Sequence, residues 1–203
     1  MKFNRVTTPH RASLRAIFRP SQYFFLILLL AAAALQAAEL RVGNNYPLTF
    51  TDVDKRQLST SDGHVTIISV TTSEHEAKAK AVGDRIPQQH YGDRKFRLIT
   101  LVNFQQGIFT PIRGVVMAII RNRLDAEAKK LQKVYSERKL KGNPRDDIHV
   151  IADFDGGAVS KLGIAPKSPE FAVFVFDGHG RLIRRWNDVP SAEAMADALK
   201  EAR

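Results

Sequence analysis

Thr71, Thr72, Ser73, Glu74, His75 and Glu76 place three hydroxyls, two carboxylates and one imidazole in six consecutive positions. A hydroxyl beside an imidazole is the raw material of acyl transfer, provided the base is oriented toward the nucleophile. Ser73, however, precedes Glu76 at the Ser-x-x-Glu spacing of a capping box, which makes it an N-cap before it is a nucleophile. His75 falls in the first helical turn and need not face Ser73, and no loop suited to an oxyanion hole is evident. Capture of a small anion or a peptide by the free N–H groups of a helix start is a better use of the segment. Glu74 and Glu76 would oppose an anion there. The plainest account is a well-capped helix.

Two other groupings could hold a metal ion. Asp153-x-Asp155-Gly156 has the opening of a calcium loop. Val159 and Lys161 then stand where further oxygen donors are needed, and the closing glutamate is missing. An N-terminal cap for a following helix explains an aspartate here. His64, His90, His149 and His179 lie in different predicted elements, without the i, i+4 pair of a helical zinc site. No metal and no cofactor is expected.

The elements that must position these residues follow from periodicity. Val65–Val70 is a β-branched, buried strand, Thr71–Ser73 a corner, and Glu74–Val82 a helix. Pro87 stops that helix at the latest. Phe96–Asn103 is a second strand, so strand, helix and strand form a βαβ unit with a parallel pair. Thr110-Pro111 reads as an N-cap with proline at the first helical position. From there Ile112, Val115, Val116, Ile119, Ile120, Leu124, Ala128, Leu131 and Val134 recur at helical spacing. That is one long helix, or two broken near Asn122, ending before Gly142. Arg121, Arg123, Lys129, Lys130 and Lys133 make its solvated face.

Ile148–Phe154 is a third strand, Ala158–Leu162 a short helix, and Phe171–Phe176 a strand apolar on both faces that belongs in the sheet centre. Asp177–Gly180 turns the chain into Arg181–Trp186, a polar edge strand kept from aggregating by Arg181, Arg184 and Arg185. Pro190-Ser191 opens a last helix with Ala194, Met195, Ala198 and Leu199 inward. Before all this, Leu48–Asp52 alternates as a short edge strand beside Pro47. The sum is one domain, residues 39–203: an α/β fold with a mixed sheet and helices on both faces.

Residues 1–38 have another purpose. Lys2, Arg5, Arg11, Arg15 and Arg19 precede an uninterrupted apolar run of 13 residues, Tyr23–Leu35, followed by Gln36-Ala37-Ala38. A basic region, a short apolar region and small residues describe a signal peptide, with cleavage after Ala38. Thirteen residues fall short of the roughly 20 that span a bilayer; an uncleaved anchor at 23–38 is the alternative, and only then is a membrane expected as a partner. The chain carries a net charge of +10. Half of that excess sits in residues 1–38, so the remaining domain is modestly basic and no nucleic acid is expected. The chain has no cysteine. Every mechanism through a protein thiolate is thereby excluded, and an exported domain of this kind relies on its core without disulfides.

The order of elements resembles the thioredoxin-like superfamily, in its peroxiredoxin and thiol-disulfide-protein branch, over residues 40–202. Three segments carry the resemblance. Leu40–Gly43 with Tyr46–Asp52 is similar to that branch's opening, Asp153–Ile164 to its Asp, helix, Leu/Tyr-Gly-Val segment, and Ser168–Ile183 to its proline, core strand and Asp-x-x-Gly hairpin. In that family the redox cysteines lie between the first core strand and its helix, which falls within Thr71–Glu76. No thiol is there. Pro169 matches the family's proline, often cis, and the resemblance implies that Ser168-Pro169 lies against Thr72-Ser73. The implied ligand-binding positions are Thr71, Thr72, Ser73, Glu74, His75 and Pro169. The expected role is a non-catalytic binding or accessory module of the cell envelope with a protein partner. Two alternatives stand beside it: an oxidoreductase or antioxidant role that relies on a partner's thiols, and a basic surface for acidic polymers or anionic lipid using Lys129, Lys130, Lys133, Lys139 and Lys141.

Overall fold

A five-stranded mixed sheet organises residues 39–203 in the computed structural model, which describes residues 39–90, 92–104 and 112–203. Residues 1–38, expected as a signal peptide, and the expected Thr110-Pro111 helix start lie outside the described residues. A two-stranded antiparallel hairpin, β1 (Thr49–Thr51) and β2 (Gln57–Ser59), comes first. The main sheet contains β3 (Val65–Thr71), β4 (Phe96–Asn103), β5 (His149–Asp153), β6 (Ala172–Phe176) and β7 (Leu182–Trp186), in the spatial order β5-β4-β3-β6-β7. β3, β4 and β5 run parallel, and β6 and β7 run antiparallel to their neighbours. As the βαβ pattern requires, α1 (Glu76–Arg85) connects the parallel pair β3 and β4. The other helices are α2 (Arg113–Glu137), α3 (Gly157–Lys161) and α4 (Ala192–Glu201). No helix among the described residues is long and apolar enough to cross a membrane.

Every residue of β3 and of β6 is buried, because each strand has hydrogen-bonded neighbours on both sides and cover on both faces. The alternation of side chains divides the core in two. Ile68, Val70, Ile99, Leu101, Phe174 and Phe176 point to one face, where Val159 and Leu162 of the α3 segment and Phe50 and Leu58 of the hairpin cover them. Ile67, Val173 and Val175 point to the other, beneath Val82 of α1 and Met195 and Leu199 of α4. β7 is a sheet edge, as its arginines led us to expect. Arg181 pairs with Asp177, Arg184 with Glu201, and Arg185 with both Glu39 and Glu170.

The α2 pattern needs a correction. The helix is unbroken, but of its residues only Ala128 and Tyr135 are buried. Ile112, Val115 and Ile119, expected inward from their spacing, are 48%, 60% and 49% exposed. At 1.5 Å per residue a helix of 25 residues is about 37 Å long, whereas the eight residues of β4 span only about 26 Å. The helix is therefore longer than the strand by about 11 Å.

Candidate functional site

The corner after β3 is built by the abrupt end of a buried strand. Thr72 is still extended (φ −116°, ψ 176°), then Ser73–His75 make one 3-10 turn, and α1 begins only at Glu76. The expected capping box is therefore not formed. The residue ahead of the turn is Thr72, not Ser73, and neither the 3-10 turn nor α1 has a side-chain cap. Thr72 Oγ1 instead lies 3.4 Å from His75 Nδ1, while the His75 N–H donates to the Thr72 carbonyl at 3.1 Å. Thr71 Oγ1 donates to the same carbonyl at 3.1 Å. Thr71 and Thr72 are buried, and Ser73, Glu74 and Glu76 are exposed.

Two clefts open on either side of this corner. The first, of about 480 Å³, brings Glu74 and His75 together with Ser168, Pro169 and Phe171. The expected meeting of the proline segment with the corner is thus real but shifted. Pro169 shares its cleft with Glu74 and His75, and Thr72 and Ser73 line the other one. No cis peptide bond occurs among the described residues, Ser168-Pro169 included. The proline loop is carried here by Asn103, the last residue of β4, whose Nδ2 donates to the carbonyls of Pro166 (2.9 Å) and Ser168 (3.4 Å). At the floor, His75 meets Phe171 edge-on with ring centroids 6.1 Å apart. Lys78 Nζ lies 5.5 Å above the same ring and 3.0 Å from Asp188. The Val189 N–H and then Lys78 hold the Asp188 carboxyl below the usual carboxylate range.

The second cleft, of about 330 Å³, runs between the corner and α2. Thr72 and Ser73 form its polar end, and Val102, Phe104, Ile120 and Leu124 form an apolar wall. Glu76 and Arg123 face each other across the rim at 3.9 Å. Sequence reasoning did not find this cleft, nor Asn103. A polar residue closing an apolar strand was the available signal for Asn103. The cleft itself depends on where α2 lies, which periodicity does not reveal.

The chemistry of the corner is limited. Thr72 Oγ1 and His75 Nδ1 are at the far limit of a hydrogen bond. His75 is partly exposed, and it meets that hydroxyl and the Phe171 ring. Hydroxyl, imidazole and carboxylates thus stand close together at the corner.

The other candidate residues serve the fold. Asp153 accepts from the Gly156 N–H (2.9 Å) through one oxygen and from the Val159 N–H (2.8 Å) through the other. Asp155 accepts from the Gly157 N–H at 2.9 Å. Both carboxylates thus cap the start of α3. Burial pushes the Asp153 carboxyl up, and the Gly157 N–H draws Asp155 down. Among the described residues no group of three or more histidines, aspartates or glutamates is arranged to hold a metal ion. The four histidines stand apart. His64 pairs with Asp62 at 2.8 Å, and the His179 N–H donates to Asp177 in the hairpin turn at 2.9 Å. His90 packs on Phe96 with centroids 4.0 Å apart, and burial, with Arg203 nearby, lowers its pKa. Burial also lowers His149, more strongly.

No protein-family model matches the chain, and no curated protein matches it. Solved structures do. A thiol:disulfide interchange protein of the thioredoxin family from Chlorobium tepidum matches with 13% identity over 81% of this chain and 99% of its own, at a TM-score of 0.49. An exposed lipoprotein thioredoxin from Streptococcus pneumoniae matches with 13% identity over 76% and 98%, at 0.47. A peroxiredoxin-like protein from Aquifex aeolicus matches with 14% identity over 82% and 90%, at 0.46. Likenesses this distant carry no argument of their own, and the sheet decides the fold. Three parallel strands, an antiparallel hairpin at one side and helices on both faces make this a thioredoxin-like α/β fold. It is one without cysteine.

Proposed function

We propose that this chain is an exported, non-catalytic binding module whose corner between β3 and α1 receives a segment of an envelope protein partner. The observation that carries this reading is the composition of the corner. Threonine, serine, glutamate and histidine stand where the family resemblance puts redox cysteines, with a cleft open on each side. An extended segment crossing the corner would meet hydrogen-bonding groups at Thr72, Ser73 and His75, and apolar walls at Phe171 on one side and Leu124 on the other. Buried apolar area would supply most of the affinity, and the polar groups the register. Export is supported by the basic and apolar pattern of residues 1–38.

The test uses the absence of native thiols. A photo-crosslinker attached to the full chain through Ser73→Cys should capture one stoichiometric envelope protein, and the same probe at Glu193→Cys on α4 should not. Equal capture from both positions, or none from Ser73→Cys, overturns the reading. Peroxide consumption by the purified protein with a thiol reductant also overturns it and favours the antioxidant alternative.

A further inference from the structure

The exposed apolar stripe on α2 has its own chemistry, independent of the corner. Among the described residues four large apolar side chains are strongly exposed, and three of them are Ile112, at the N-cap of this helix, and Val115 and Ile119 within it. Their i, i+3, i+7 spacing puts them on one face. Within Ile112–Leu124 the only charged residues are Arg113, Arg121 and Arg123; there is no carboxylate in the stretch. Arg113 lies across the Phe154 ring at 4.8 Å, which fixes the start of the helix against the domain. Arg121 donates to the Val53 carbonyl at 2.6 Å and 3.0 Å, which fixes its middle. Arg123 is 72% exposed and faces the similarly exposed Glu76 at 3.9 Å, a surface pair that leaves it open to water.

We infer that the first two turns of α2 are a docking face for an anionic lipid surface. An exposed apolar stripe flanked by cations is the pattern of a helix that lies in the plane of a bilayer interface. The apolar side chains enter the boundary of headgroups and acyl chains, and the exposed Arg113 and Arg123 meet lipid phosphates. Charge selects this occupant over a second copy of the chain. Face-to-face pairing of two such helices would bring arginines of like sign together. Shape selects it over a peptide, because a helix surface is convex and offers no trough. The lysine-rich second half of α2 is less suited, because among the described residues no large exposed apolar side chain accompanies its lysines.

Because the chain contains no cysteine, Val115→Cys gives a single attachment point for an environment-sensitive fluorophore in the full-length protein. Glu193→Cys on α4 is the control. Vesicles of phosphatidylcholine alone are compared with vesicles containing phosphatidylglycerol. Residues 1–38 are common to both labelled proteins, so a difference between the two positions belongs to the helix. The expected result is a blue shift at position 115 with the anionic vesicles only, and none at 193. Adding Arg113→Glu and Arg123→Glu should weaken that response at least about tenfold, each basic residue near such a surface being worth about 1 kcal/mol. No shift at 115, or an equal shift with phosphatidylcholine alone, overturns the proposal. A shift at 115 without vesicles that vanishes on dilution also overturns it, and assigns the face to a second copy.

Discussion

His149 Nδ1 stands 3.7 Å from Asp52 Oδ2, a carboxylate whose side chain is wholly buried. Asp52 also accepts from the Asp54 and Arg56 N–H groups (2.9 Å and 2.8 Å) and from Arg56 Nε (2.6 Å). The imidazole therefore lies where the β1–β2 turn rests on β5, a contact closed by the Val53 N–H to Val150 carbonyl bond at 2.9 Å. Burial is the main cause that lowers the His149 pKa from 6.5 to about 4; Arg56 and then Arg97 add to it, against the pull of Asp52.

A pH dependence of stability follows. The unfolded chain takes up the His149 proton near pH 6.5, and the folded chain only near pH 4. Stability is therefore full above pH 6.5 and falls with pH through that window, by about 3 kcal/mol for this one group. Urea unfolding at pH 7 and pH 4.5 should show the loss, and His149→Asn should remove most of the difference between the two. An unchanged pH slope in that variant would place the acid sensitivity elsewhere.

The two helix starts with serine nearby should respond differently to alanine. Ser191 Oγ accepts from the Ala194 N–H at 3.1 Å at the start of α4, so Ser191→Ala should cost about 1 kcal/mol. Ser73 makes no such cap, and Ser73→Ala should stay within about 0.5 kcal/mol of the parent. Chemical denaturation measures both. A loss at Ser73 equal to that at Ser191 would restore the capping box.

Two glycines should also diverge. A Cβ at Gly178 would sit 3.0 Å from the Gly63 backbone, beside the Gly63 N–H to Gly178 carbonyl bond, where neither segment can withdraw without loss. Gly178→Ala should cost about 1–3 kcal/mol. At Gly114, within α2, a Cβ meets nothing within 4 Å. Gly114→Ala should stabilise the protein by about 0.5–1 kcal/mol through helix propensity. Thermal melts of the two variants should move in opposite directions.

Periodicity located the strands well because burial on both faces leaves a continuous apolar run, as in Val65–Val70 and Phe171–Phe176. It did less well where geometry beyond the element decides exposure. The apolar recurrence from Ile112 onward is a true helical stripe, yet Ile112, Val115 and Ile119 stay exposed. Ser73 and Glu76 have capping spacing, yet an intervening 3-10 turn puts Thr72 at the junction. Pro169 was placed near the corner by resemblance, and Asn103 turns out to be the group that holds its loop there.

By itself, the sequence determined the elements and their order, the basic and apolar pattern of residues 1–38 and the absence of a protein thiol. Those depend on local propensity, side-chain period and residue identity, all of which are one-dimensional. Only the tertiary structure decided the division of the corner between two clefts, the exposure of Ile112, Val115 and Ile119, and the burial of His149 against Asp52. Each depends on where distant segments meet, and that information resides in packing rather than in any single stretch of chain.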